Sequence, residues 1–172
     1  MQLSLVITII GPDRTGLVEG IARCVAANGG NWLESRLCRL GGEFAGILRV
    51  EIPQESRSPL LSALQHISGL AVTVHADESN LPIAGGRQVR LEIVGHDRPG
   101  IVRDISAALA RAGVNVEEFS SEVASAPMSG ETLFKAAARL RLPEHCDIAA
   151  LKKDVETIAA DLLVDVSLKE PG

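Results

Sequence analysis

Gly11-Pro12-Asp13-Arg14-Thr15-Gly16 is the stretch on which the reading of this chain turns, because it recurs as Gly95-His96-Asp97-Arg98-Pro99-Gly100, 84 residues later. Each copy follows an apolar run, Leu5-Val6-Ile7-Thr8-Ile9-Ile10 in the first and Val89-Arg90-Leu91-Glu92-Ile93-Val94 in the second. Each precedes a helical pattern, Leu17-Val18-Glu19-Gly20-Ile21-Ala22 and Ile101-Val102-Arg103-Asp104-Ile105-Ser106. Both stretches are therefore expected to be strand-to-helix turns, and the chain is an internal duplication. The first N–H groups of a helix lack intrahelical partners and carry partial positive charge, so an anion sits well there. Glycine lets a ligand approach the backbone. Asp13 and Asp97 either cap the helix or accept a hydrogen bond from an ammonium group. A carboxylate and an ammonium on one small molecule, an amino acid, suit such a turn. The competing reading is that Asp caps and Gly merely turns.

Working outward, strand one is expected over about Leu3 to Ile10 and helix one over Arg14 to Ala27, with Leu17, Ile21 and Val25 on one face. Asn28-Gly29-Gly30 ends that helix. Strand two covers Asn31 to Leu40, Gly41-Gly42 turns, and strand three covers Glu43 to Ile52 with apolar residues at alternate positions. Ser58-Pro59 reads as N-cap and first residue of helix two. Strand four runs from Leu70 to Ala76. The second half repeats this order, with a hairpin loop at Ala124 to Gly130 about six residues longer than its counterpart. Strand three is Thr132 to Leu142, helix two carries Ile148, Leu151, Val155 and Ile158, and strand four is Leu162 to Leu168. The fold class expected is α+β: two ferredoxin-like βαββαβ domains, each an antiparallel sheet with both helices on one face. Their expected bounds are 1–80 and 89–170, joined by a linker at 81–88 that Pro82 and Gly85-Gly86 keep irregular.

Composition removes several functions. A net charge of −5 with no arginine-rich stripe, and only 2% aromatic residues, argue against a phosphate backbone or stacked bases as ligand. No apolar run approaches the length of a membrane span, and Met1-Gln2-Leu3-Ser4 lacks the basic start of a signal peptide. Cys24, Cys38 and Cys146 are odd in number and widely spaced, as expected of free thiols in the cytoplasm. The four histidines have no ligands at metal spacing, and no Ser-His-Asp set or Walker loop is evident from local motifs. Neither metal nor cofactor is expected. Trp32 belongs either to the core or to a ligand pocket. Arg14 and Arg98 either grip a carboxylate or form salt bridges or face solvent. Lys152-Lys153 reads as a solvated helix face.

The motif Gly-x-Asp-Arg-x-Gly-(Leu/Ile)-Val after an apolar strand, at Gly11 to Val18 and again at Gly95 to Val102, resembles that of the ACT domain, a small ligand-binding module of amino-acid metabolism. Leu5-Val6-Ile7-Thr8, Asn31 to Leu40, Gly42-Glu43-Phe44 and Ala126 to Phe134 resemble the glycine cleavage system transcriptional repressors in particular. That resemblance implies an amino acid, glycine or serine, bound near the turns, and regulation of a transcriptional activator through protein contact, with no nucleic acid or membrane bound directly. It carries the ligand contacts onto Asp13, Arg14, Thr15, Gly16, Leu17 and Asn31, and onto Asp97, Arg98, Gly100, Ile101 and Asn115. Thr15 keeps an N–H and a hydroxyl that Pro99 lacks, which favours the first turn if one alone is used. Unpaired strand edges lead us to expect side-by-side pairing of the halves and a homodimer. The same module opens formyltetrahydrofolate deformylase, where a catalytic domain follows; here none follows, so that activity is not expected. The alternative to a sensor is a stand-alone regulatory subunit or small enzyme of amino-acid or one-carbon metabolism.

Overall fold

The computed structural model describes residues 1–77, 85–125 and 130–170. Each half starts with a long strand, β1 (Gln2–Pro12) in the first and β5 (Arg87–His96) in the second. After β1 come α1 (Leu17–Ala27), β2 (Asn31–Leu40), β3 (Glu43–Pro53), a short 3-10 turn, α2 (Arg57–Gln65) and β4 (Ala71–Ala76). After β5 come α3 (Ile101–Arg111), β6 (Asn115–Ser125), β7 (Thr132–Leu142), α4 (Ile148–Leu162) and β8 (Val164–Lys169). The chain divides into two compact units, Met1–Leu81 and Pro82–Gly172. Each holds a four-stranded antiparallel sheet, in the order β2-β3-β1-β4 and β6-β7-β5-β8.

Strand alternation builds both cores. Leu5, Ile7 and Ile9 of β1 lie beside Leu48, Val50 and Ile52 of β3, all buried, while the residues between them face away. Leu17, Ile21 and Val25, spaced by four, close α1 onto that face, and Leu60 and Leu64 do the same for α2. The second unit repeats this with Val89, Leu91 and Ile93 against Ala138, Leu140 and Leu142, under Ile105, Leu109, Leu151 and Val155. Each such large aliphatic side chain contributes about 1.5–3 kcal/mol when fully buried. Trp32 is half-buried and packs against the first core.

Several boundaries differ from the sequence reading, and each has a local reason. α1 begins at Leu17, three residues later than expected, because Gly16 adopts φ 83°, outside helical geometry. α2 begins at Arg57, so Ser58 is inside the helix and caps nothing; its N-cap, Ser56, forms no side-chain bond either. Pro59 then sits in the first turn, where its missing N–H has no intrahelical partner to lose. A genuine aspartate cap occurs at a position the sequence reading passed over: Asp147 accepts from the N–H of Ala149 at 2.9 Å and of Ala150 at 3.2 Å. Residues 78–84, which take in the first half of the expected 81–88 linker, and 126–129 of the expected hairpin loop lie outside the described residues.

Candidate functional site

The two glycines of each turn do different jobs. A Cβ on Gly11 would stand 2.5 Å from the carbonyl oxygen of Gly69, and one on Gly95 would stand 2.6 Å from the Cα of Val164. The first glycine thus lets the end of the central strand touch the chain entering the edge strand. The second, Gly16 at φ 83° or Gly100 at φ 100°, is the helix N-cap in the left-handed region, which glycine enters without strain. Between them the aspartate N–H donates across the sheet, Asp13 to Gly42 O at 2.9 Å and Asp97 to Thr132 O at 3.0 Å. Both turns are thereby stitched to the neighbouring hairpin.

Neither Asp13 nor Asp97 caps its helix, which corrects the capping alternative. The first helical hydrogen bond of α1 is Gly20 N–H to Gly16 O at 2.9 Å. The amides of Leu17, Val18 and Glu19 precede it and have no side-chain cap. Beside them lies a cleft of about 340 Å³ lined by Asp13, Arg14, Gly16, Leu17, Val18, Glu19 and Phe44. The Leu17 side chain is buried in the core, so only its backbone is offered to the cleft. A Cβ on Gly16 would meet nothing within 4 Å. Asp13 is held instead by Arg39, whose Nε lies 2.6 Å from its Oδ2. Arg14 donates to Ser68 O at 2.6 Å, and Glu19 pairs with Arg23 at 3.2 Å. Thr15 is exposed next to this set.

The second turn is arranged differently. Arg103 Nη2 and Asp104 Oδ2 lie 3.1 and 3.4 Å from the Cβ position of Gly100. The two side chains are joined, Nε to Oδ1, at 2.7 Å. Arg103 holds the Asp104 carboxyl below the ordinary aspartate range by donating this hydrogen bond, and its own pKa rises for the same reason. This neighbouring pair lies beside Gly100 at the start of α3. Ile101 is buried, Pro99 supplies no N–H, and Asp97 and Arg98 are exposed.

Asn31 and Asn115 are not brought to the turns within their own modules. Asn31 stands opposite Glu51, which stands opposite Ser4 at the start of β1, whereas the turn leaves β1 after Pro12. Eight residues of strand, roughly 26 Å at about 3.3 Å per residue, separate them. Asn115 sits likewise opposite Arg141, beside Gln88, at the far end of β5 from His96. The resemblance sets both asparagines opposite the turns; the register puts them at the other end of their own sheets. An antiparallel strand that follows α1 starts at that helix's C-terminus.

Sequence reasoning also missed a polar cluster on the open face of the second sheet. Glu117 accepts from Arg141 Nε at 2.5 Å and from Gln88 Nε2 at 2.8 Å, and Arg139 bridges it to Glu118 at 2.9 Å. Hydrogen bonding from Arg141 depresses the Glu117 pKa, against a smaller opposing effect of burial. These charges are mutually paired, and Gln88, Glu118 and Arg139 line a hollow of about 290 Å³. Among the described residues no group of His, Cys, Asp and Glu is arranged to hold a metal ion, and no helix is long and apolar enough to cross a membrane.

Comparison with known proteins follows the two units. A comparison with curated proteins gives no significant match. Among solved structures the chain is similar to an unknown protein from Galdieria sulphuraria, 28% identical, with 100% of both chains covered and a TM-score of 0.86. It is similar also to a protein described as a candidate glycine cleavage system transcriptional repressor, at 20% identity, covering 98% of this chain and 97% of that one with a TM-score of 0.67. At that identity the likeness concerns the fold. Family models of the ACT domain match residues 4–77 and, separately, residues 89–134. With a match in each half and the same turn in each, the chain belongs to the ACT-domain family and carries two such domains in tandem.

Proposed function

We propose that this chain is an amino-acid-sensing regulatory protein whose N-terminal ACT domain binds a small amino acid, glycine or serine, at the Gly11–Gly16 turn. The observation that carries this reading is the cleft of about 340 Å³ at the uncapped start of α1. Three backbone N–H groups without intrahelical partners, at the positive end of a helix, suit the carboxylate of an amino acid. The volume fits a ligand the size of glycine or serine with a few waters. The Arg103–Asp104 pair close to Gly100 and the missing Pro99 N–H support the first turn as the working one.

The signal then passes to a protein. The similarity in fold to a candidate glycine cleavage system transcriptional repressor supports a role in transcription regulation; a transcriptional activator is the partner we propose. The acidic balance supports protein contact over direct DNA binding. Sensing in this sense requires two states with different affinity for the amino acid. A homodimer in the cytoplasm is the form we propose for it, joined through an exposed sheet edge.

A thermal-shift series with single amino acids tests the proposal. Ligand at about 100 times its Kd adds roughly 2.7 kcal/mol to the stability of the folded state. A rise in Tm with glycine or serine, absent with large amino acids, is the expected result. A flat response to every amino acid removes the sensing role.

A further inference from the structure

The first turn holds an ion pair that the second has no residue to make. Arg39, next to last in β2, reaches Asp13 with its Nε 2.6 Å from Oδ2. In the strand register Arg39 stands opposite Phe44, which lines the cleft, so both side chains rise from the same face of the sheet. The equivalent position in the second module, opposite Phe134, is Val123. Twenty-six residues separate Arg39 from Asp13, and it is the β2–β3 hairpin, bonded to the turn through Asp13 N–H and Gly42 O, that brings them together.

The consequence is electrostatic. The amides of the α1 start attract an anion, while two carboxylates on the cleft wall, Asp13 and Glu19, repel one. Glu19 is largely exposed, at 65%, and is paired with Arg23. Asp13 is only 33% exposed, so its charge is less screened and matters more to a ligand in the cleft. Arg39 neutralises it.

We propose that Arg39 determines the ligand class of the first turn: by pairing with Asp13 it makes the cleft a carboxylate site, which reads an amino acid through its carboxylate and not through its ammonium group. This rests on the amino-acid-sensing reading of that turn. Arg39 acts through Asp13 and is a positioning residue. With Arg39 absent, an uncompensated Asp13 carboxylate faces the ligand carboxylate across the same small space.

Calorimetric titration of the full chain with three probes tests this: glycine, glycolate (carboxylate without ammonium) and glycinamide (ammonium without carboxylate). The unaltered chain binds glycine and glycolate and does not bind glycinamide. Arg39→Val weakens glycolate by about tenfold, the scale of one lost charge-assisted interaction. Adding Asp13→Asn to Arg39→Val restores glycolate, because the repelling charge has gone. A merely structural role for Arg39 does not produce that rescue, and melting curves of both variants confirm that they fold. Binding of glycinamide in place of glycolate, unchanged glycolate affinity in Arg39→Val, or a folded double variant as weak as the single overturns the inference while leaving the sensor intact. An unaltered chain that binds none of the three probes and no serine removes the sensing reading, and this inference with it.

Discussion

In the turn at Gly11–Gly16 and in the turn at Gly95–Gly100, the first glycine lets two backbones touch and the second supplies a positive φ at the helix start. The side chains around those shared backbones diverge. In the first, Arg39 comes from a neighbouring strand to neutralise Asp13, and the space over Gly16 is empty. In the second, Arg103 and Asp104 pair with each other over Gly100. The residues in those positions of the first module are Glu19 and Gly20, and a Cβ on Gly20 would meet nothing within 4 Å. A duplicated backbone device can thus be kept whole while its electrostatics is reassigned, since the backbone needs only glycine at two positions and the surface residues are free to vary.

The largest effect should come from what the two turns share. Gly11→Val and Gly95→Val each drive a side chain into backbone, Gly69 O in one module and Val164 Cα in the other. Each should cost about 3 kcal/mol by urea unfolding. A variant of either that keeps the unaltered midpoint breaks the equivalence of the backbones. Next come the N-cap glycines. Gly16→Val and Gly100→Val place an L side chain in the left-handed region, at about 1–2 kcal/mol each. Only Gly16→Val should also abolish the glycine-induced rise in Tm, worth about 2.7 kcal/mol at 100 times Kd. Equal loss in both variants would mean that the turns act alike.

A smaller difference concerns acid. Glu117 is paired in the second module and its pKa is depressed in the folded state, chiefly by Arg141. A depressed carboxylate contributes stability above its unfolded pKa, and that contribution is lost as pH falls through the folded value. Glu117→Gln should therefore lower stability by about 1 kcal/mol at pH 7, where the exposed part of the pair is screened. At a pH well below the ordinary glutamate range it should make no difference. Urea midpoints at the two pH values check this; an equal loss at both points to packing. The smallest change in stability should follow grafting of the first turn's residues onto the second. Arg103→Glu, Asp104→Gly and Val123→Arg together, the last supplying Asp97 with the partner that Arg39 is to Asp13, should cost about 0.5 kcal/mol, the scale of one glycine inside a helix. Native mass spectrometry should then show a second glycine bound. A stoichiometry that stays at one shows that the missing Pro99 N–H, and not these three side chains, closes the second turn.

The α+β class, the duplication and the βαββαβ order were legible in the residues. Leu5, Ile7 and Ile9 at every second position, and Leu17, Ile21 and Val25 at every fourth, state their own secondary structure, because period and burial are local consequences of backbone geometry. The start of α1 was less legible, since Arg14 and Thr15 suit a helix and only the φ of Gly16 delays it. The end of the sheet that Asn31 occupies was not legible, because its neighbours in sequence do not specify it; the strand register does.

By itself, then, the sequence determined the repeat, the elements and the positions of the two turns, all of which follow from residues within a few places of one another. Tertiary structure alone decided which charges meet there. Arg39 finds Asp13 only once β2 has folded back along β3, and Gly11 shows its purpose only once Gly69 is pressed against it. Such contacts depend on the register between strands, and register is settled by the packing of the whole core, not by any one stretch of it.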